Sequence, residues 1–599
     1  MLQVVINWIY ILITCYVVGN YVANRLMKGY KVCKAGSVIC GFAVLTAYAG
    51  YFSLLGGVGL AANIIMLFLC GIFVYVDKNM YMDILAKLGT QFFSMNKRTI
   101  IKWGLALGIV IASAYFTAYG QFAYDTGTYH AQSIHWIESY GVVKGLAYMQ
   151  TRLGFNSSYF CLCALYSFHD FGKSLHTISG FLAAFVMIYS LFGLTDRSTG
   201  RLRVVDMVYL APFAYFVIIA IELVSPTTDF VTIWLIIWLC IRWLELIEED
   251  GTKGVEPYAL LCILAVFLVS IKLSVGVLAI LVIKPGILLV KEKRWMDIIK
   301  YVLAGVLLIL PYFIRNVLIT GWLIYPFPAI DLFNVDWKIP VEGVKYEADE
   351  IVVWARYTKD VALVNQGISE WFPVWWQEQG QANRYLSLSS FAGAAIGVIR
   401  LAVTVIYLAW LSIRRVKLEE IFTEDEIKKQ GEYLYFLSAI IVSYLFFIMS
   451  APSNRFGYAY ILILPLLVCG DCVVNVIMLM KEKYLEIMGK ALAVVVTAAC
   501  SVCLMIAVCL SMLKGLYYVA SDDYHYFRDN LTSDYLVAQK DYIKADSECK
   551  EWQGINISYP VIEGDQIWYH DFPAILYEGN LEGIERRGNN MKDGFRLKQ

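Results

Sequence analysis

A chain of 599 residues that is 59% hydrophobic and only 16% charged, with a mean hydropathy of +0.61, is more apolar than a water-soluble globular protein of its size, so lipid is its expected solvent. Its 49 basic and 49 acidic side chains balance, which leaves no net positive charge to recruit nucleic acid. The 14 cysteines fall mostly in apolar runs, as at Cys70, Cys240, Cys500 and Cys503, with no CxxC pair flanked by polar turns as a zinc site needs, and read as small buried hydrophobes.

A helix needs roughly 20 apolar residues to cross a hydrocarbon core. Runs of that kind predict transmembrane helices near 3–23, 37–55, 57–76, 101–119, 176–194, 206–223, 229–245, 257–271, 274–290, 299–319, 391–412, 434–450, 457–479 and 488–512. The first run lacks a basic n-region before it and a small-residue cleavage site, so it is expected to be a retained span and not a signal peptide. Segment 158–170 is apolar but short and predicts an interfacial or half-spanning helix.

Basic residues mark cytoplasmic loops. Arg25, Lys28, Lys31 and Lys34; Lys87, Lys97 and Arg98; Arg197, Arg201 and Arg203; Lys291, Lys293 and Arg294; Arg414, Arg415 and Lys417; and Lys481 and Lys483 all fall on one side of the spans as drawn. The amino terminus, loop 120–157, loop 320–390 and tail 513–599 are then expected outside. The expected architecture is an all-α polytopic membrane protein of about 14 helices with three parts: amino-terminal helices 1–100, a core 101–512 with the two outer loops, and an extracytoplasmic domain 513–599. Strand-like runs such as 554–561 make that last part a small α/β or β-rich appendage. In loop 320–390 the cluster Trp354, Trp371, Phe372, Trp375 and Trp376 reads as interface anchors, with a substrate-contacting lid as the alternative.

The densest polar cluster, Tyr124-Asp-Thr-Gly-Thr-Tyr-His130, follows the fourth span. Ile134, Trp136, Ile137 and Tyr140 come next at helical spacing, so Asp125 is expected to cap, or to stand just before, an amphipathic helix lying on the membrane. Asp229, Lys272 with Ser274, Arg315 with Asn316, and Arg455 fall at the same membrane level. Each cation alone could be a snorkelling anchor. Together, a carboxylate, several cations and apolar walls suit transfer of a sugar from a lipid phosphate: the carboxylate serves as general base for an acceptor hydroxyl, and the cations neutralise the departing phosphate. No nucleotide-binding glycine loop is present.

Asp125-Thr-Gly-Thr-Tyr-His130, Trp136, Tyr140-Gly141, Gly145-Leu146 and Gly154-Phe-Asn-Ser-Ser158 resemble a family of bacterial membrane proteins that is itself similar to the GT-C glycosyltransferases. The resemblance continues in Lys272-Leu273-Ser274, Arg315-Asn316, Gly321, Tyr325-Pro326, Ala451-Pro452, Arg455-Phe456, Gly564-Asp565, Trp568, Pro573, Arg587-Gly588 and Gly594-Phe595. It implies a GT-C-like fold in a bacterial cytoplasmic membrane, a polyprenyl-phosphate-linked sugar as donor, and Asp125 as base. Thr126 stands where the superfamily often has a second acidic residue. His130, one helical turn on, could orient an acceptor, share a proton with Asp125 or complete a metal site, although a divalent cofactor is not expected.

The leading expectation is a lipid-linked-sugar glycosyltransferase acting outside the membrane in surface glycan assembly, on a glycan or lipid acceptor. Asp125 and His130 would be catalytic; Arg315, Asn316, Arg455, Asp229, Lys272 and Tyr129 would bind substrate. The rival classes are a polysaccharide polymerase or ligase, and a lipid-sugar transporter or flippase, which would need charges near the midplane of several spans.

Overall fold

Lipid offers no partner for backbone amides, so an apolar run must satisfy them within its own segment and coils into a helix. The computed structural model describes residues 1–93, 96–195, 202–249, 254–481, 534–561 and 565–598, with 506 and 510. Its helices in the first half are α1 (Leu2–Leu26), α2 (Lys34–Leu55), α3 (Leu60–Val76), α4 (Lys78–Phe93), α5 (Lys97–Tyr119), α6 (Ala131–Ser139), α7 (Ser158–Tyr166), α8 (Ile178–Thr195), α9 (Val204–Val208) and α10 (Ala211–Ile219). There follow α11 (Thr228–Glu248), α12 (Glu256–Ile271), α13 (Ile283–Lys291), α14 (Trp295–Thr320), α15 (Val341–Ala355), α16 (Ile368–Glu378), α17 (Gln381–Arg414), α18 (Glu424–Ser450) and α19 (Asn454–Lys481).

Among the described residues 11 helices are long and apolar enough to cross a membrane, or up to 12 if α3 and the start of α4, bent by 85°, form one broken span. The difference from the 14 expected has identifiable causes. Helix α12 is a shorter apolar helix, α3 and α4 break, and the expected span 488–512, but for residues 506 and 510, lies outside the described residues, as do tail residues 513–533. Helix α11 is buried along its whole apolar length and forms the centre of the bundle, whereas α5 and α17 turn most of their length outward. Exposed leucines, isoleucines and valines on α3, α5, α14 and α17 make the lipid-facing belt.

Helices α1 and α2 touch closely because Gly19 and Gly41 remove side chains at the crossing. A Cβ on Gly19 would overlap the Ser37 carbonyl, and one on Gly41 the Cys15 carbonyl. Small residues that let backbones approach are the main source of helix association where lipid supplies no hydrophobic drive.

Three expectations change. Of the two readings of segment 158–170 the interfacial one falls: α7 is buried along its whole length, and Asn7 and Asn63 donate to the carbonyls of Tyr166 and Leu165 at its end. A short helix ending inside the bundle is possible because those two amides replace water. Helix α6 is likewise buried and not spread on lipid, since the tail covers it. Loop 320–390 carries α15, α16 and the first turns of α17. Within it Trp371 and Trp375 are buried, and Trp375 Nε1 donates to the Pro452 carbonyl at 2.6 Å; Trp354 is exposed.

The tail carries two small antiparallel sheets, so the appendage is β in character among the described residues. Strands β1 (Ser547–Trp552) and β2 (Ile555–Pro560) pair around Gln553-Gly554, both at positive φ, as a two-residue hairpin requires. Strands β3 (Ile584–Arg586) and β4 (Phe595–Leu597) form the second. Ile557, Ile575, Ile584 and Phe595 join Trp136, Leu146, Trp322 and Ile339 in a second hydrophobic core, which welds the tail to both loops. The Met1 ammonium donates to the carbonyls of Tyr535 and Ala538, so the amino terminus, the tail and both loops gather on one face of the bundle.

Replacing Gly41 by leucine should force α1 and α2 apart. Overpacking of this kind costs about 1–3 kcal/mol or more. A thermal midpoint in detergent that stays at the wild-type value would show that the crossing is not tight.

Candidate functional site

Asp125 follows α5 and opens a π-helical turn, Thr126–His130, that leads into α6. Wide turns of this kind re-aim side chains and recur at functional sites. The Asp125 side chain makes no capping hydrogen bond; its Oδ2 accepts from Arg455 Nη1 at 2.8 Å. The expected capping role therefore does not occupy this carboxylate.

Arg455 stands in the first turn of α19. Asn454 Nδ2 donates to Gln379 Oε1 at 3.0 Å, and Tyr458 donates to Asn383 Oδ1 at 3.1 Å, so the start of α19 is held by the link between α16 and α17 and by the first turn of α17. Arg455 also reaches Asp229, its Nε lying 3.9 Å from Oδ2. Asp229 sits in the first turn of α11, where the helix dipole favours a negative charge. Its other oxygen accepts from Lys272.

Lys272 occupies the break between α12 and a 3-10 stretch, Leu273–Val282, and its Nζ lies 3.7 Å from the centre of the Phe456 ring. Ser157 closes that break from another part of the chain by donating to the Ile271 carbonyl at 2.9 Å. Broken helices at membrane depth are tolerated where protein groups repair the backbone, and such breaks commonly mark binding sites.

Asp125, Asp229, Lys272 and Arg455 thus form one alternating charge chain drawn from four distant segments. Half of the Arg455 side chain is exposed, against 20% of Asp125 and 8% of Asp229, so the chain opens to solvent at the arginine. Tyr129 and His130 line its buried side. The His130 ring packs against Tyr129 and Phe160, at centroid distances of 4.4 Å and 5.3 Å, and its Nδ1 is buried without a partner among the described residues. Burial pushes the His130 imidazole down to about 4, against the upward pull of Asp125, so the ring is neutral at neutral pH. Burial would raise the Asp125 carboxyl, but the Arg455 guanidinium, together with Arg152 and His130, outweighs it and holds the group below the ordinary carboxylate value.

Arg315 and Asn316 do not join this chain. Arg315 donates to Asn156 Oδ1 at 2.9 Å and to Ser53 Oγ at 2.7 Å, and Asn156 donates to Asn316 Oδ1 at 3.0 Å. They form a separate buried network behind Phe155 and Phe160.

Three residues left out of the expected site stand close to it. Tyr124 donates to Asp565, and Arg152 Nη1 lies 4.0 Å from the same carboxylate. Nothing in the sequence spacing connects Arg152 with residue 565. Among the described residues no three His, Cys, Asp or Glu side chains gather as a metal ion would need.

The tail seats this region. The Gly127 carbonyl accepts from the amides of Ile567 and Trp568, at 2.8 Å and 2.9 Å, and a Cβ on Gly127 would come within 2.8 Å of the Trp568 ring. Gln132 donates to the carbonyls of Trp568 and Asp571, and the His135 ring stacks between Tyr569 and Phe572.

Over residues 1–462 the chain matches a protein family described as "Domain of unknown function (DUF8201)". It belongs to that family. The matched region includes Asp125, Asp229, Lys272 and Arg455, and ends before the tail. No curated protein and no solved structure matches the chain.

Removing Arg455 leaves Asp125 largely buried without its cation. A carboxyl held low by its partner contributes stability above its ordinary pKa and loses it as pH falls through the lowered value. Without the partner, burial alone acts and the sign reverses, so the charge opposes folding at neutral pH. Arg455→Ala should therefore lower the thermal midpoint at pH 7 by the equivalent of about 1 kcal/mol, a figure kept small because the pair is partly solvated. Adding Asp125→Asn, or lowering the pH, should recover part of the loss. A double variant no more stable than Arg455→Ala alone would contradict this assignment.

Proposed function

We propose that the protein is a GT-C-type glycosyltransferase. It moves a sugar from a polyprenyl-phosphate donor to a hydroxyl of a glycan or lipid acceptor, on the outer side of a bacterial cytoplasmic membrane. The observation that carries this reading is Arg455, half exposed at a helix start and bridging Asp125 to Asp229, with Lys272 alongside.

In this reaction the donor phosphate enters at Arg455, which exchanges its contact with Asp125 for the phosphate oxygens. Guanidinium suits that exchange because its planar fork matches either partner. Asp125, released, takes the proton of the acceptor hydroxyl. The acceptor oxygen bonds to the anomeric carbon from the side opposite the phosphate, and the carbon–oxygen bond to phosphate breaks with its electron pair. The products are a glycoside of inverted configuration and polyprenyl phosphate. Arg455 and Lys272 offset the negative charge growing on the leaving phosphate, and Asp229 fixes both cations. His130, neutral, supplies a hydrogen bond and not a second charge. The isoprenoid chain lies against the apolar belt.

Asp125→Asn keeps the shape of the site and removes the base. With purified protein and labelled polyprenyl-phosphate sugars, it should lower transfer by roughly 10²–10⁴-fold while membrane abundance is unchanged. Arg455→Ala should weaken donor binding as well as turnover. Full activity in Asp125→Asn would remove the proposed base, and movement of labelled lipid-sugar across vesicles by wild type without any transfer would favour a flippase.

A further inference from the structure

Tyr124 stands one residue before the proposed base and is 58% exposed, although both of its ends are tied down. Its carbonyl accepts from Thr128 Oγ1 at 3.2 Å and from Gln566 Nε2 at 3.4 Å, and its hydroxyl donates to Asp565 Oδ1. An aromatic ring held in this way offers contact area at little cost in rotamer entropy. Asp565 also faces Arg152. Its second oxygen, Oδ2, lies 4.0 Å from Arg152 Nη1, both side chains are 27% exposed, and Arg152 has no closer carboxylate among the described residues. The same guanidinium acts electrostatically on Tyr124 and on Asp125, so the ring, the ion pair and the base belong to one small region.

A separation of 4.0 Å is too long for a direct hydrogen bond, which needs roughly 2.7–3.2 Å, yet one oxygen about 2.8 Å from each atom spans it. That oxygen has to accept from the guanidinium and donate to the carboxylate, as a hydroxyl does. A phosphate or carboxylate placed there would be repelled by Asp565, and an ammonium by Arg152. Sugars combine such hydroxyls with an apolar C–H face that packs on an aromatic ring. We propose that Tyr124, Arg152 and Asp565 form a subsite for a neutral sugar ring of the acceptor. One hydroxyl bridges Arg152 and Asp565, the C–H face rests on Tyr124, and a further hydroxyl is offered to Asp125. This rests on the glycosyltransferase reading and narrows its acceptor from a glycan or lipid to a glycan. Tyr124 and Arg152 lie in the matched family region, whereas Asp565 comes from the tail, so the subsite is complete only with the tail seated.

The test uses the purified full chain in a detergent without a sugar headgroup, and reads binding by saturation-transfer NMR. The probes are the methyl glycosides of glucose, galactose, mannose and N-acetylglucosamine, with those of glucuronate and glucosamine as charged counterparts. Neutral glycosides should receive saturation. Tyr124→Ala and Arg152→Met should each weaken their binding about tenfold or more, while Asp125→Asn keeps most of it. Arg152→Met leaves the Tyr124–Asp565 hydrogen bond in place, so it serves where Tyr124→Ala fails to fold. No binding of any neutral glycoside, stronger binding of a charged probe, or variants that bind like wild type would overturn the subsite. Sugar binding that depends on these residues, in a protein that transfers from no polyprenyl-phosphate sugar, would support the subsite and count against the glycosyltransferase reading alone.

Discussion

The contact on which the site depends is the pair of amides, from Ile567 and Trp568, that meet the Gly127 carbonyl. A π-helical turn leaves backbone groups that a membrane cannot satisfy, so the segment after α5 is stable there only if protein covers it. The tail provides that cover. Its Trp568, Tyr569 and Phe572 close over α6, and Tyr569 donates to the buried Glu138 carboxylate at 2.6 Å. Asp125 is thereby held at the rim of the bundle, facing Arg455, without being spent as a helix cap.

Electrostatics in this bundle follow one rule: a charge taken out of water is matched within a few ångströms. Arg400 donates to Asp471 at 3.0 Å, Arg242 donates to Glu245 and Glu249 at 2.7 Å each, and Lys284 pairs with Glu432. These charges on the helices are spent on each other. The Asp125–Arg455–Asp229–Lys272 chain obeys the same rule but ends at a half-exposed arginine, which gives it somewhere to send a cation when a ligand arrives. Among the described residues Arg315 departs from the rule, its hydrogen-bond partners being the neutral Asn156 and Ser53.

Motifs read as family signatures acquire separate mechanical tasks. In Gly154-Phe-Asn-Ser-Ser158, Asn156 holds Arg315 and Asn316 while Ser157 caps the break before Lys272. One short segment therefore supports both the buried network and the charge chain. In Ala451-Pro452-Ser453-Asn454-Arg455, the Pro452 carbonyl accepts from Trp375 and the buried Asn454 donates to Gln379, so the aromatic loop positions Arg455.

Hydropathy and basic-loop bias determined, from sequence alone, that the chain is helical, that it crosses a membrane many times, and that Asp125, Asp229, Lys272 and Arg455 share one membrane level. These are properties of position along a helix axis, and counting residues measures that axis. Direction around the axis is different. Whether Arg315 turns toward Asp125 or toward Asn156, whether α6 meets lipid or the tail, and whether Arg152 meets residue 565 all depend on which helices pack together. Local periodicity carries no information about segments hundreds of residues away, so only the tertiary structure decided those contacts.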